Sequence, residues 1–321
     1  MRRIVLVLAL PTAACVGLET ASTEQSIVGG QTAGSGEFPT VIALENGPGQ
    51  WFCTGTIIDK GWVLTAAHCV EGETAAGLKV RTDALDVNGA TGAKEIQVAA
   101  IHEHPGYDGV AWDHDVALLA LATPVTDRMV TPVHRPVAPT GTQVTQVGYG
   151  DADDNGGGAG VLRKLTTSTI DCATVMDATV MGDKVVCYDQ RDGNGTCYGD
   201  SGGPSFVTVA AAFSGTPALE VASITSGGTV DSCLDGFDIQ TSVAHELDFI
   251  DSTMAGAPPD PDPNPNPNPD PNPNPDPNGG GGGDDQGSPD GGGCNSSGHA
   301  PASGMLFLGL ALVAVARRRR V

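Results

Sequence analysis

Three side chains in this sequence have the types and surroundings for covalent catalysis. Ser201 stands in Gly199-Asp200-Ser201-Gly202-Gly203-Pro204, just after Cys197 and the run Asp192-Gly193-Asn194-Gly195. Glycines around one serine let the backbone turn sharply and come close to a substrate. The hydroxyl is a weak nucleophile until a base takes its proton. His68, in Leu64-Thr65-Ala66-Ala67-His68-Cys69, can serve as that base, and Asp115, opening Asp115-Val116-Ala117-Leu118-Leu119, can orient it. A hydroxyl, an imidazole and a carboxylate acting in series perform acyl transfer through a covalent intermediate.

The chain order His, Asp, Ser differs from the subtilisin and α/β-hydrolase orders. The three stretches together resemble the chymotrypsin/trypsin-like serine proteases, over roughly residues 27–254. The resemblance implies that His68 takes the Ser201 proton and returns it to the leaving amine. It implies that Asp115 fixes the imidazole tautomer, that Ser226 hydrogen-bonds Asp115, and that Gly199 and Ser201 supply the oxyanion N–H pair. It also implies an activation pair. Cleavage before Ile27, in Ile27-Val28-Gly29-Gly30, frees an amine that inserts and pairs with Asp200. A buried carboxylate is costly without a cation, so folding of the oxyanion loop becomes conditional on cleavage. Ser26, and not Lys or Arg, precedes that junction, which points to a protease other than a trypsin-like one, or to autolysis.

The resemblance also places a substrate pocket. Gly195 falls where trypsin-like members carry the pocket-floor Asp, which removes the main support for ordinary trypsin specificity. Asp238, before Ile239-Gln240-Thr241, falls where many members carry a glycine, and a carboxylate there can receive Lys or Arg from the side. Gly228 leaves the mouth open to large apolar side chains, and Gly227 replaces an aromatic of the wall. Asp113 reads as solvated, and His102, His104 and His114 as loop residues. Asp151, Asp153 and Asp154 read as a solvated loop, because the EF-hand pattern is absent. With no CxxC pair and no HExxH helix, neither a metal nor a cofactor is expected.

The elements that must position these residues read as all-β. Short apolar runs alternate with turns at residues 40–44, 54–58, 62–65, 96–101 and 116–121, and again at 143–149, 163–170, 184–188, 204–209, 219–225 and 237–241. Val243, Leu247 and Ile250 predict a helix over residues 243–254. The resemblance implies two six-stranded antiparallel β-barrels with the site in the cleft between them, closed by this C-terminal helix. Six cysteines lie in this region, and spacing alone does not choose their partners. The resemblance pairs Cys53 with Cys69, Cys172 with Cys187, and Cys197 with Cys233. Such cysteine use fits an oxidising, exported location.

The formal net charge is −22, and the region 27–256 holds 10 Lys and Arg against 29 Asp and Glu. That balance disfavours nucleic acid or an anionic lipid surface as a partner of the folded part. Residues 1–15 read as a secretory signal, a basic start followed by a short apolar run. Thr12-Ala13-Ala14-Cys15 resembles a lipobox, so Cys15 is either a lipidated terminus or part of a discarded leader. Residues 16–26 read as a propeptide and 27–256 as the protease domain. Residues 257–293 form a linker. Its 20-residue Pro-Asp/Asn stretch spans on the order of 60 Å as polyproline. Residues 294–321 resemble a myxobacterial sorting signal, with Cys294, a short apolar run and Arg317 to Arg320. That resemblance implies processing and lipid attachment at Cys294, the alternative being a retained short anchor. These readings describe a surface-anchored serine endopeptidase made as a zymogen and acting on proteins or peptides. It meets the membrane only through its terminal anchor. The alternatives are a proteolytically inactive binding or adhesion module and a serine esterase.

Overall fold

The computed structural model describes residues 27–89, 93–109, 112–175, 182–210 and 218–256. The stretches read as leader, propeptide, linker and tail, with Cys15 and Cys294, lie outside the described residues. Strand β1 is Gln31–Thr32. A first group comprises β2 (Val41–Glu45), β3 (Trp51–Asp59), β4 (Trp62–Thr65), β5 (Lys79–Thr82), β6 (Lys94–Glu103) and β7 (Ala117–Leu121). It closes into a barrel in the order β2-β3-β4-β7-β6-β5. His102 therefore lies in strand β6 and not in a loop.

Successive side chains of a strand point to opposite faces, and in this barrel both faces of several strands are buried. Ile42 and Leu44 of β2, Val63 of β4 and Leu119 of β7 fill the barrel interior. Their neighbours Val41, Ala43, Trp62, Leu64 and Leu118 face outward, into a second core shared with Val147, Tyr149, Phe206, Val221 and Ile224. Burying a side chain of this size contributes about 1.5–3 kcal/mol. The shared core thus joins the first barrel to the second sheet firmly enough to hold a site between them.

That second sheet contains β8 (Gln143–Gly148), β9 (Arg163–Ser168), β10 (Val185–Asp189), β11 (Pro204–Val209), β12 (Ala218–Gly228) and β13 (Phe237–Ser242), with β1 on its edge. The order is β1-β9-β8-β11-β12-β13-β10. The six expected strands are present, but the second barrel is not closed by a full ladder. Its seam is a single bridge, Ile170 to Cys187. The cause is local: Asp171 accepts the Ala173 N–H at 3.0 Å and turns the chain into a 3-10 turn, so β9 stops before it can run along β10. The Cys172–Cys187 disulfide crosses the same seam.

The helix α1 spans Leu247–Gly256 and presents Ile250, Leu247 and Phe249 to the shared core. It starts later than the apolar spacing predicts. Residues 243–246 form turns in which His245 and Glu246 donate to the carbonyls of Ser242 and Val243.

Candidate active site

His68 follows β4 directly, and Asp115 precedes β7, the strand paired with β4. The barrel ladder therefore brings the two together. Asp115 is fully buried. Its Oδ1 accepts the His68 backbone N–H at 2.9 Å, and its Oδ2 lies 2.7 Å from His68 Nδ1 and 2.5 Å from Ser226 Oγ. The Thr241 hydroxyl donates to the Asp115 carbonyl at 3.0 Å. With Nδ1–H directed at this carboxylate, the lone pair of the imidazole is left on Nε2. Nearby, burial foremost, and then the Asp115 charge, push the Tyr107 phenol up to about 12.

Ser201 comes from the other half of the fold. Gly199 and Gly202 on either side of it adopt φ of +95° and +76°, the left-handed region that glycine enters without strain. A Cβ at Gly202 would lie 2.1 Å from Thr65 Oγ1. Thr54 of β3 fastens this turn to the first barrel: its N–H donates to the Ser201 carbonyl and its hydroxyl to the Gly199 carbonyl, both at 2.8 Å. Among the described residues, no protein group accepts from the N–H of Gly199 or of Ser201, so both donors are available to a negatively charged oxygen. Ser201 Oγ and His68 Nε2 do not hydrogen-bond to each other in this structure. Nucleophile–base bonds of this kind are often long without substrate and tighten with it.

Asp200 is 1% exposed and accepts the N–H groups of Gly150 and Cys197, at 2.8 and 2.9 Å. Burial pushes its carboxyl up to about 7. Gly148 and Gly150 make its space, because a Cβ at either would meet the carboxyl group at 2.1 or 2.6 Å. Ile27 is fully buried, and Val28 pairs with Gly195 in an isolated bridge.

Beside Ser201 opens a cavity of about 250 Å³ lined by Ser226, Gly227, Gly228, Val230, Gln190 and Asp238, among others. Asp238 is 1% exposed. Its Oδ2 accepts the amides of Gln146 and Gln240, each at 2.8 Å, while Oδ1 is buried without a partner. Burial pushes this carboxyl up to about 6. Gly195, expected in the pocket, stands behind Gln190 instead. The Gln190 side chain, held on the Thr196 carbonyl at 2.8 Å, occupies the space that a side chain at 195 would need. At the rim, the Tyr198 hydroxyl reaches the Asp231 carbonyl at 3.0 Å while its ring stays exposed.

The residue types at Gln146, Gln190 and Gln240 carry no motif, and sequence reasoning passes over them. Thr54 and the two glycines around Asp200 are likewise invisible without the fold. Asp113 holds Lys184 at 2.7 Å at the surface. Asp154 is not simply solvated, because it accepts from the Ser232 hydroxyl and the Cys233 N–H. Among the described residues the bonded cysteine pairs are Cys53–Cys69, Cys172–Cys187 and Cys197–Cys233, and the last forms part of the cavity wall.

Comparison with known proteins places this geometry. The family model described as Trypsin matches residues 27–250. The chain is 32% identical to brachyurin of Leptuca pugilator over 241 residues, which covers 73% of this chain and 100% of that protein. It is 30% identical to trypsin-1 of Astacus astacus over 240 residues, covering 70% and 98% of the two chains. It is 29% identical to the trypsin of Sus scrofa over 189 residues, covering 56% and 79%.

Proposed function

The chain belongs to the trypsin family of serine proteases, and from that premise we propose that it is an endopeptidase in which Ser201 is the nucleophile. Ser201 Oγ attacks the scissile carbonyl carbon as its proton passes to His68 Nε2. The carbonyl oxygen becomes an oxyanion held by the N–H groups of Gly199 and Ser201. His68 then protonates the amine as the C–N bond breaks, which leaves an acyl ester on Ser201. Water, deprotonated by His68, attacks that ester, and the serine regains its proton as the acid departs. Asp115 stabilises the imidazolium. One oxyanion donor in such chemistry is worth on the order of 10²–10³ in rate. The observation that carries the reading is the fully buried Asp115, bonded at once to the His68 backbone, the His68 ring and Ser226.

Asp238 defines the substrate class. A buried carboxylate with one oxygen unmatched, at a roomy cavity beside the nucleophile, favours a P1 Lys or Arg, and the cavity volume also suits large apolar side chains. The enzyme is made as a zymogen, and the amine freed at Ile27 pairs with Asp200. Burial of Ile27 and the bridge from Val28 to Gly195 support this pairing. The leader and the Cys294 tail export it and hold it on a cell surface by lipid, with the Pro-rich linker as a stalk.

The test uses the whole chain with a site for a specific endopeptidase placed before Ile27. After cleavage it is assayed on peptide amides with P1 Arg, Lys, Phe and Leu, beside Ser201→Ala. Turnover that disappears in the Ser201→Ala protein is the expected result. Equal background rates in both folded proteins would turn the reading towards a binding module.

A further inference from the structure

Behind Asp115 stand a buried carboxylate and three histidines that the reaction above does not use. Glu246, 2% exposed, lies just ahead of α1. Its Oε1 and Oε2 are 3.1 and 3.2 Å from His114 Nδ1, and Oε2 is 3.4 Å from His104 Nε2. The His104 and His114 rings stack with centroids 4.2 Å apart and planes 8° from parallel. His245 flanks them, its ring 5.7 Å from that of His114.

Two histidines and a glutamate suggest a metal site, but the geometry argues otherwise. Two nearly parallel rings cannot both aim in-plane lone pairs at one ion. The Gly106 N–H donates to His104 Nδ1 at 3.0 Å, which leaves the proton on Nε2, where a metal would need a lone pair. The cluster is therefore a proton-bridged one, in which imidazole N–H groups satisfy a buried carboxylate.

The backbone shows what this cluster holds. His114 immediately precedes Asp115 and has φ of +53°, and Trp112 has φ of +84°. Non-glycine residues in this region are strained and persist only where their surroundings over-determine them. The Val116 N–H donates to the His114 carbonyl at 2.7 Å, so Asp115 is the middle residue of a three-residue turn. The direction of the Asp115 side chain thus depends on the conformation of His114. The handle on His114 is its ring. Glu246 holds Nδ1, and Gly106 makes room for the ring, because a Cβ there would lie 2.9 Å from His114 Cδ2.

We propose that Glu246 is a positioning residue for Asp115: by holding the His114 imidazole it keeps residue 114 in the left-handed backbone from which Asp115 reaches His68. The inference rests on the serine-protease reading. The segment leading into the C-terminal helix then sets the geometry of a residue made in the first half of the chain.

The test compares Glu246→Gln, His114→Asn, His114→Val and the Glu246→Gln/His114→Asn pair, each in the whole chain. Glutamine keeps one acceptor oxygen but sets its NH2 against an imidazole N–H where the second carboxylate oxygen stood, and kcat is expected to fall about tenfold with KM unchanged. Asparagine tolerates left-handed backbone, whereas a β-branched residue does not. His114→Asn should therefore keep activity within about threefold, while His114→Val loses tenfold or more. In the His114→Asn background Glu246→Gln should have no further effect. The NMR resonance of the His68 Nδ1 proton reads the His68–Asp115 bond without turnover, and it should move in Glu246→Gln and His114→Val but not in His114→Asn. An unmoved resonance in Glu246→Gln, equal losses in the Asn and Val variants, or an equal glutamine penalty with and without His114 would each overturn the proposal. Should no variant hydrolyse peptides, the resonance alone decides it, and the loss of the protease reading is then seen separately in the wild-type assay.

Discussion

Replacing Asp238 by asparagine separates what the pocket recognises from what the fold tolerates. Its Oδ2 already accepts two glutamine amides, and its Oδ1 has no partner. An asparagine can keep its oxygen on the two amides and turn its NH2 into the cavity, so the packing survives. Burial raises the carboxyl from 3.8 to about 6. At 1.36 kcal/mol per pH unit that is about 3 kcal/mol. The sign follows from proton uptake. Between pH 4 and 6 the folded state holds the proton that the unfolded state has lost, so the wild type loses stability as pH rises through this window. The asparagine variant should lack that slope and be the more stable protein at pH 8. For substrates, losing one side of a buried charge contact costs about 2–5 kcal/mol, so kcat/KM for P1 Arg and Lys should fall by about 30-fold or more while P1 Leu and Phe hold. In the wild type the Arg-to-Leu ratio of kcat/KM should climb from pH 5 to pH 8 as Asp238 ionises. The assay is kcat/KM on matched peptide amides across that range. A flat ratio in the wild type, or a ratio kept within threefold in the variant, would refute the assignment of Asp238 as the selecting group.

Other expectations follow from neighbouring contacts. In the uncleaved chain Asp200 is pushed up to about 7, so stability should fall by about 4 kcal/mol between pH 4 and 7. Pairing with the Ile27 amine should shrink that loss, and melting curves of cleaved and uncleaved protein at pH 5 and 8 read it directly. Gly150→Ala would set a Cβ 2.6 Å from the Asp200 carboxyl. It should cost about 1–3 kcal/mol in denaturant melts and remove most peptidase activity. Ser226→Ala takes one of three donors from the Asp115 carboxylate and the acceptor from Trp112 N–H. A loss of about 1–3 kcal/mol at an under-satisfied buried carboxylate predicts roughly a fivefold to hundredfold fall in kcat, measured under saturating substrate.

What the sequence makes legible is what local chemistry dictates. The frames around Ser201, His68 and Asp115 are contiguous, and each can be read without knowing what packs against it. Strand β5 escapes the same reading. It is four residues long, and its buried Arg81 is held by Glu45, 2.8 Å away on β2, so an ion pair stands where an apolar residue is expected. The helix start is misjudged for the opposite reason, because Val243 packs in the shared core from a turn and mimics helical spacing. Gln190, Gly148 and Gly150 act through the space they fill or leave, which has no signature in one dimension. The partnership of Glu246 with His114 joins positions far apart in the chain and is equally silent there, although the glutamate and the histidines can each be seen singly.

Thr54 has a consequence for the order in which the proposed site comes together. It lies in the half of the chain synthesised first, yet its N–H and hydroxyl grip the carbonyls of Ser201 and Gly199, and the Tyr149 N–H donates back to the same hydroxyl at 3.2 Å. All six strands of the barrel that carries His68 and Asp115 precede Ser201 in the chain. Until the second sheet closes over Thr54, the serine turn lacks its anchor to the first barrel. Birth order therefore acts as a safety catch on the proposed chemistry: a truncated, stalled or half-folded copy has no nucleophile docked beside His68, and Ser226 and Thr241 are not yet in place to hold Asp115.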